Sequence, residues 1–412
     1  MENSTAKFGS IIKLIKTLNT EEKCVQLLVD LKWNGTPTCP KENCNNTFNN
    51  SYNAKRKIFK CSKCKKNFSV KTGTIFQGSN LPLIDWFVAI YEIATHKRGI
   101  SSVALSEKLE VSYKTALSMS HKIKEALAEE NEGTLFGTVE IDEAYSGARL
   151  NRDKKLAWKV YKRNLQRIGW GLEGKEEKKK RLEQEKKWTK KTGNLISPKE
   201  SKLEELLEDT PVHLRPLMED KFTRNLNHQK IHYKKNIVGL LERDIYNSKG
   251  VLIRQGKLIL TKMGRQGADI NGANMMSFLE KHIDKGAKIM TDGHTAYSGV
   301  DKYFRKHDVI VHSRKKGDYR PIIYSKGKGN DMKTTNHIEN VWNHFKKMEN
   351  GTYFHFSYRH TDKYLNEFAF RFNNRDLTNG QIFSKLLGKC LNKTTTNKEI
   401  RGTIDFYSYM AA

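Results

Sequence analysis

Long apolar runs are missing from this chain of 412 residues. No segment approaches the roughly 18 to 20 uninterrupted apolar residues that a membrane helix needs, so no membrane partner is expected. The first residues, "MENSTAKFGSIIKLIK", have no apolar stretch followed by a small-residue cleavage site, which argues against a secretory signal. Cysteine is scarce as well: six residues are too few for a disulfide scaffold at this length. A reducing, cytoplasmic setting follows. Acidic residues are outnumbered, 46 against 75 Lys and Arg, which leaves a net charge of +29. An excess of that size is a long-range field that favours polyanions, above all nucleic acid.

Four of the six cysteines form a pattern. Cys39 and Cys44 lie in "TCPKENCNN", and Cys61 and Cys64 in "FKCSKCKKNF", giving C-x4-C-x16-C-x2-C. Two tight turns at this spacing present four thiolates to one tetrahedral ion, and the alternating "SYNAKRKIFK" between them suits a zinc ribbon. One structural Zn²⁺ is expected. Cys24 and Cys390 stand alone on apolar helical patterns and read as core residues.

Residues 81–127 read as a helix-turn-helix. A strongly apolar helix comes first; Ser101 or Ser102 then caps a short helix ending near Leu109, "EVS" turns, and a second helix starts around Tyr113. Its exposed face would carry Tyr113, Lys114, Ser118, His121 and Lys122, residues suited to phosphates and base edges.

Three acidic positions follow. In "GTVEIDEAYSG", Val139 and Ile141 alternate with Glu140 and Asp142, so a strand would bury one face and present Asp142 on the other. "GAKIMTDGHTAY" reads as a short buried strand ending in Asp292 at a glycine turn. In "TNHIENVWNHFKKM", Ile338, Val341, Trp342 and Phe345 mark the apolar side of a helix, with Asn336, Glu339, Asn343 and Lys346 on a stripe beside it. Lys346 lies two turns after Glu339, so one helix offers a carboxylate and a cation to the same phosphate. Carboxylates from two strands and a helix suit hard divalent cations and phosphodiester chemistry. In "YLNEFAFRFNNR", Tyr364, Leu365, Phe368, Ala369 and Phe372 form a packing face, and Arg371 and Arg375 are candidates for the DNA backbone.

The motifs "FSVKTGTIF", "IDEAYSG", "TDGHTAY", "NHIENVWNHFKK" and "YLNEFAFRFNNR", in that order behind the ribbon, resemble the bacterial insertion-sequence DDE transposases with an N-terminal zinc ribbon, relatives of the Merlin elements. The resemblance covers roughly residues 35–150 and 236–385. It implies a multidomain α+β protein in which a zinc ribbon and a helix-turn-helix precede an RNase H-like α/β catalytic domain with an insertion. The expected boundaries are an N-terminal helical segment at 1–34, the ribbon at 35–80, the helix-turn-helix at 81–130, the catalytic domain at 135–385 and a tail at 386–412.

The resemblance further implies that Asp142, Asp292 and Glu339 hold Mg²⁺ or Mn²⁺, that Lys346 contacts the DNA end, and that Asn336 is an auxiliary on the same helix. The activity would be nicking at the element's ends, then attack of the freed 3′-hydroxyl on target DNA. Double-stranded DNA, as transposon ends and target, is the implied partner, with a homodimer or higher assembly on it and a nucleoid association when acting. A zinc-containing DNA-binding regulator and an RNase H-like nuclease are the alternatives. Residues 151–235, which include "KEEKKKRLEQEKKWTKKTG", depart from the family pattern and read as a basic insertion.

Overall fold

The computed structural model describes residues 7–146, 235–263, 272–310, 332–354, 356 and 360–394. The expected basic insertion, but for its last residue, lies outside the described residues. Apart from a few residues at strand ends, the described elements belong to one compact unit made from 1–144, 237–262 and 271–403.

Two helices lead the chain: α1 (Ile11–Thr17), capped by Ser10, and α2 (Glu21–Trp33), capped by Thr20 with Glu21 and Glu22 in its first turn. Asn34, left-handed at φ 49°, ends α2. A three-stranded antiparallel sheet follows, β1 (Ser51–Asn53), β2 (Ile58–Lys60) and β3 (Asn67–Phe68). Phe59 stacks on Phe68, and Trp33 meets both rings edge-on at 5.8 and 5.6 Å. The last residue of α2 is therefore part of the small sheet's core.

Three helices come next: α3 (Leu83–Thr95), α4 (Ser102–Leu109) and α5 (Tyr113–Glu125). Ser101 and Ser112 accept from the backbone N–H three residues on and start α4 and α5. Glu110, left-handed at φ 52°, closes α4.

The second half is built on a five-stranded sheet. Its first two strands are β4 (Thr138–Ser146) and β5 (Lys235–Glu242). A small antiparallel pair, β6 (Ile245–Tyr246) and β7 (Leu252–Arg254), precedes β8 (Leu258–Lys262). Helix α6 (Gly272–His282) leads to β9 (Lys288–Thr291) and β10 (Lys306–Val309). The strand order is β10-β9-β4-β5-β8, with β4 parallel to β9, β9 parallel to β10, and β5 antiparallel to β8. Three helices finish the chain: α7 (Asn336–Met348), α8 (Thr361–Asn373) and α9 (Asn379–Leu391).

Strand pleating decides what meets α7. Ala144 of β4, Ile237 and Leu241 of β5, and Leu258 and Leu260 of β8 share a core with Ile338, Val341, Trp342 and Phe345 of α7 and Leu365 and Phe368 of α8. Gly239 lies on that face of β5, where an added Cβ would come within 2.8 Å of the Trp342 ring. The glycine is what lets α7 lie so close to the sheet.

One expected boundary falls inside a helix. The tail was expected from residue 386, but α9 runs through it to Leu391. Leu386, Leu387, Cys390 and Leu391 are buried in the core formed by α2, α3 and the small sheet. Apolar residues at helical spacing keep the chain folded past the expected boundary. The core that holds α3–α5 is thus closed by a helix from the other end of the chain.

A second link between the halves is ionic. Lys124 of α5 is fully buried, 3.1 Å from the Glu367 carboxylate of α8, over the rings of Tyr353 and Tyr364 at 4.3 and 4.0 Å. Arg371, one turn after Glu367, binds it at 2.5 Å, and the Tyr353 hydroxyl donates to it at 2.7 Å. Gly99, left-handed at φ 78°, sits against this node: a Cβ there would lie 2.9 Å from Tyr353 Cζ and 3.0 Å from Glu367 Oε1. Gly99→Ala is expected to destabilise the protein by about 2 kcal/mol or more, from backbone strain and overpacking together. A urea midpoint unchanged from wild type would refute this.

Candidate metal centres and nucleic-acid face

The four ribbon cysteines converge. Their Sγ atoms all lie within 4.8 Å of one another, with Cys39–Cys64 at 3.6 Å and Cys44–Cys61 at 3.7 Å. A disulfide needs about 2.05 Å, whereas thiolates about 2.3 Å from a tetrahedral zinc stand roughly 3.8 Å apart. The observed separations match the second geometry. The turns show how the spacing achieves it: Cys44 N–H donates to Lys41 O and Cys64 N–H to Cys61 Sγ. The residue after each pair, Asn45 at φ 42° and Lys65 at φ 60°, is left-handed. Burial pushes the Cys39 thiol up to about 12. Burial opposes ionisation of Cys61 too, but backbone donors at Cys64 and Lys63 outweigh it and hold that thiol at about 6. Cys24 and Cys390 are buried and apart from the cluster, in the core as expected.

A second convergence lies where β4 runs past its pairing with β9. Carboxylate oxygens of Asp142, Glu143 and Asp292 are within 4.8 Å of one another. Asp142 and Glu143 lie on β4 just beyond Glu140, where its register with β9 stops; Asp292 follows the last residue of β9. Adjacent parallel strands thus deliver their carboxylates to one edge. Burial first, then the charges of Glu143 and Asp292, push Asp142 up to about 7; backbone N–H and the Trp342 indole pull the other way. Glu143 is also raised to about 7, again by burial first, with Tyr297 opposing the rise and Asp292 adding to it. Glu143 Oε1 is buried without a hydrogen-bond partner. Crowded oxygens and an orphaned carboxylate atom are what a hard divalent cation would satisfy.

The third sequence candidate, Glu339, is exposed on α7 and accepts from Thr335 Oγ1 at 3.1 Å; it is outside the three-carboxylate cluster. The helix that carries it is tied to the cluster, because Trp342 Nε1 donates to Asp142 Oδ2 at 3.0 Å. At about 100° per residue, Glu339 lies some 60° from Trp342 around α7, Lys346 about 40°, and Asn336 about 120°. Glu339 and the exposed Lys346 therefore share one side of the helix beside the residue that reaches Asp142, and Asn336 points farther away.

Glu140, two residues before Asp142, does different work. It is fully buried and accepts from the backbone N–H of His337 and Ile338, both at 3.1 Å, so it caps α7 from the sheet. Arg243 Nε donates to it at 2.6 Å, and the His337 ring lies at 2.7 Å. The sequence reading passed over Glu140, Glu143 and Trp342 as site residues. The signal was the acidic pair in "IDEA" and an indole among the apolar positions of the helix.

On α5 the expected contact face holds only in part. Tyr113 and Lys114 are exposed and Ser118 is half-buried, but His121 and Lys122 are buried, at 4% and 7% exposure. The correction has a plain cause: α8 covers that side, with His121 against Tyr364 and the His360 ring 4.4 Å away. Burial first, and then His360, Lys124 and Lys363, lower the His121 imidazole to about 3, so it is neutral at neutral pH. Both residues still line a cavity of ≈ 660 Å³ beside Lys114 and Ser118.

Arg371 also departs from expectation. It is not on an open face but is buried against Glu367, Met348 Sδ and Ile93 O. Arg375 pairs with Asp244 at 2.5 Å and remains about one-third exposed. No helix among the described residues is long and apolar enough to cross a membrane.

The comparisons agree with this layout. Residues 19–67 match the transposase zinc-ribbon domain, and residues 204–373 match the ISXO2-like transposase domain. Both name one class, a transposase with a zinc ribbon ahead of its transposase domain. Over these two stretches the chain is similar to the insertion-sequence transposases of the ISXO2-like group. The second match starts inside the stretch expected as an insertion, so Asp142 and Glu143 precede it while Asp292 and Glu339 fall within it. A protein described as "uncharacterized protein in transposable element ISH50", from Halobacterium salinarum, is 33% identical over 138 residues. That match spans 33% of this chain and 45% of the relative. No solved structure matches the chain.

Proposed function

We propose that this protein is a DNA transposase that binds the terminal inverted repeats of an insertion sequence and carries out divalent-metal-dependent strand cleavage and strand transfer. The observation that carries the reading is the meeting of Asp142, Glu143 and Asp292 at one sheet edge, with the Glu339 helix bonded to Asp142. The strand order, third-second-first-fourth-fifth in chain sequence across β8-β5-β4-β9-β10, supports an RNase H-like catalytic domain. The capped pair α4 and α5 supports a helix-turn-helix, with Tyr113, Lys114 and Ser118 near the start of its second helix as the DNA-facing residues.

Asp142, Glu143 and Asp292 would hold Mg²⁺ or Mn²⁺, with Glu339 as the further carboxylate on the neighbouring helix. Such an ion, held by these carboxylates, would supply activation of an attacking oxygen and stabilisation of a leaving one. Lys346, on the same side of α7, neutralises a phosphate of the DNA end. Glu140 fixes the start of that helix, and Trp342 and Tyr297 shape the wall of the site. Two ends must be brought together, so the protein would act as a homodimer or higher assembly.

The test is to incubate full-length protein with Mg²⁺ and the inverted repeats that flank its gene. End nicking followed by joining to target DNA is expected. Sequence-specific binding without nicking would favour a regulator, and cutting without joining a nuclease.

The ribbon thiolates would hold one structural zinc. Metal analysis is expected to find one zinc per chain, and a chelator should make Cys39, Cys44, Cys61 and Cys64 reactive toward a thiol reagent. The same thiol count with and without chelator would remove the metal from the ribbon.

A further inference from the structure

Trp342 sits oddly for a core residue of an amphipathic helix. It is 4% exposed, yet its one polar atom is spent on an acidic group of the site rather than on solvent or backbone. The indole N–H is a donor only, so it binds the unprotonated oxygen of Asp142 and fixes that carboxylate's rotation. Its six-membered ring reaches this position because Gly239 of β5 has no side chain: a Cβ there would stand 2.8 Å from Cη2 and Cζ2, and 3.1 Å from Ile338 Cδ1. Phe345 meets the indole edge-on, at 6.4 Å and 85°. Strand, glycine and aromatic neighbour leave the ring little freedom.

Resting on the transposase reading above, we propose that Trp342 is a positioning residue for the metal centre and that Gly239 is its seat. By holding Asp142 Oδ2, Trp342 leaves the other carboxylate oxygen to the Glu143–Asp292 cluster. The same bond sets the distance between the strand that carries Asp142 and the helix that carries Glu339 and Lys346. Partners of this kind, one bond removed from the ion, typically change metal affinity or activity by roughly 10–100-fold.

The experiment uses full-length wild type, Trp342→Phe and Gly239→Ala. It measures Mn²⁺ binding to protein alone by electron paramagnetic resonance, and Mn²⁺-dependent nicking of end DNA. Phenylalanine keeps the ring and removes the donor; alanine keeps the indole and displaces it. Both variants are expected to bind Mn²⁺ roughly ten-fold more weakly and to nick more slowly at saturating DNA, with unchanged DNA affinity.

Trp342→Phe should add little to an Asp142→Asn protein, because no Asp142 carboxylate is then left for the indole to orient. A structural effect of the ring would add in full, and that result overturns the proposal. So does a folded Trp342→Phe protein with wild-type Mn²⁺ affinity. If Trp342→Phe does not fold, Gly239→Ala decides, and wild-type Mn²⁺ affinity there overturns it too. A wild type that neither binds Mn²⁺ nor nicks sinks the transposase reading itself, whereas a competent wild type with unaffected variants sinks only the role of Trp342.

Discussion

Asp142→Asn is expected to give a folded protein that still binds end DNA but whose strand cleavage falls by on the order of 10²–10³-fold. The size follows from the several kcal/mol of charge stabilisation that a metal ion supplies, at 1.36 kcal/mol per factor of ten. The fold should survive because asparagine keeps the shape of the side chain, and its carbonyl still accepts from Trp342 Nε1. It also removes one negative charge from a cluster in which Glu143 and Asp292 both disfavour ionisation of Asp142. The metal-free variant should therefore unfold at a temperature no lower than wild type, even as its Mn²⁺ binding weakens. Asp292→Asn should behave alike, since it removes the carboxylate supplied by the neighbouring strand. Cleavage within ten-fold of wild type in the Asp142→Asn protein would take that residue out of the chemistry.

The elements around this site were readable because their patterns are local. Two cysteine knuckles, a strand alternating at Val139 and Ile141, and a helix with Ile338, Val341, Trp342 and Phe345 inward all follow from periodicity. The structure buries each of those apolar side chains. Glu143 was not readable in the same way. Strict alternation sends it to the opposite face from Asp142, but the pairing of β4 with β9 ends at Glu140, so the two following acids are not held to that alternation by β9.

The α5 face failed for a non-local reason. The helix shows one apolar side in its sequence, but residues 119–124 are all buried because α8, more than 200 residues later, covers the other side. Arg371 left a local clue, since Glu367 precedes it by one turn and i,i+4 pairs of that order attract. Its burial was still invisible without Lys124.

That node gives the second large effect. Glu367→Gln is expected to cost about 3–5 kcal/mol in unfolding free energy, the range for removing one partner of a buried ion pair. Burial alone would raise the Glu367 carboxyl, yet Arg371 and Lys124 prevail and hold it below its usual range. Lys124 is lowered to about 8 by burial, with Glu367 acting against that fall. Without the carboxylate, two cations share a dry site, supported only by the rings of Tyr353 and Tyr364 and by contacts of Arg371 to Ile93 O and Met348 Sδ.

Adding Lys124→Met should restore part of the loss, because one unpaired cation is then replaced by an apolar chain of similar length. Lys124 belongs to α5 and Glu367 to α8, so the Gln variant should also loosen the join between helices α3–α5 and the half built on the five-stranded sheet. Amide exchange in both helices is the measurement. Faster exchange confined to α8, with α5 as protected as in wild type, would mean that the ion pair does not join them.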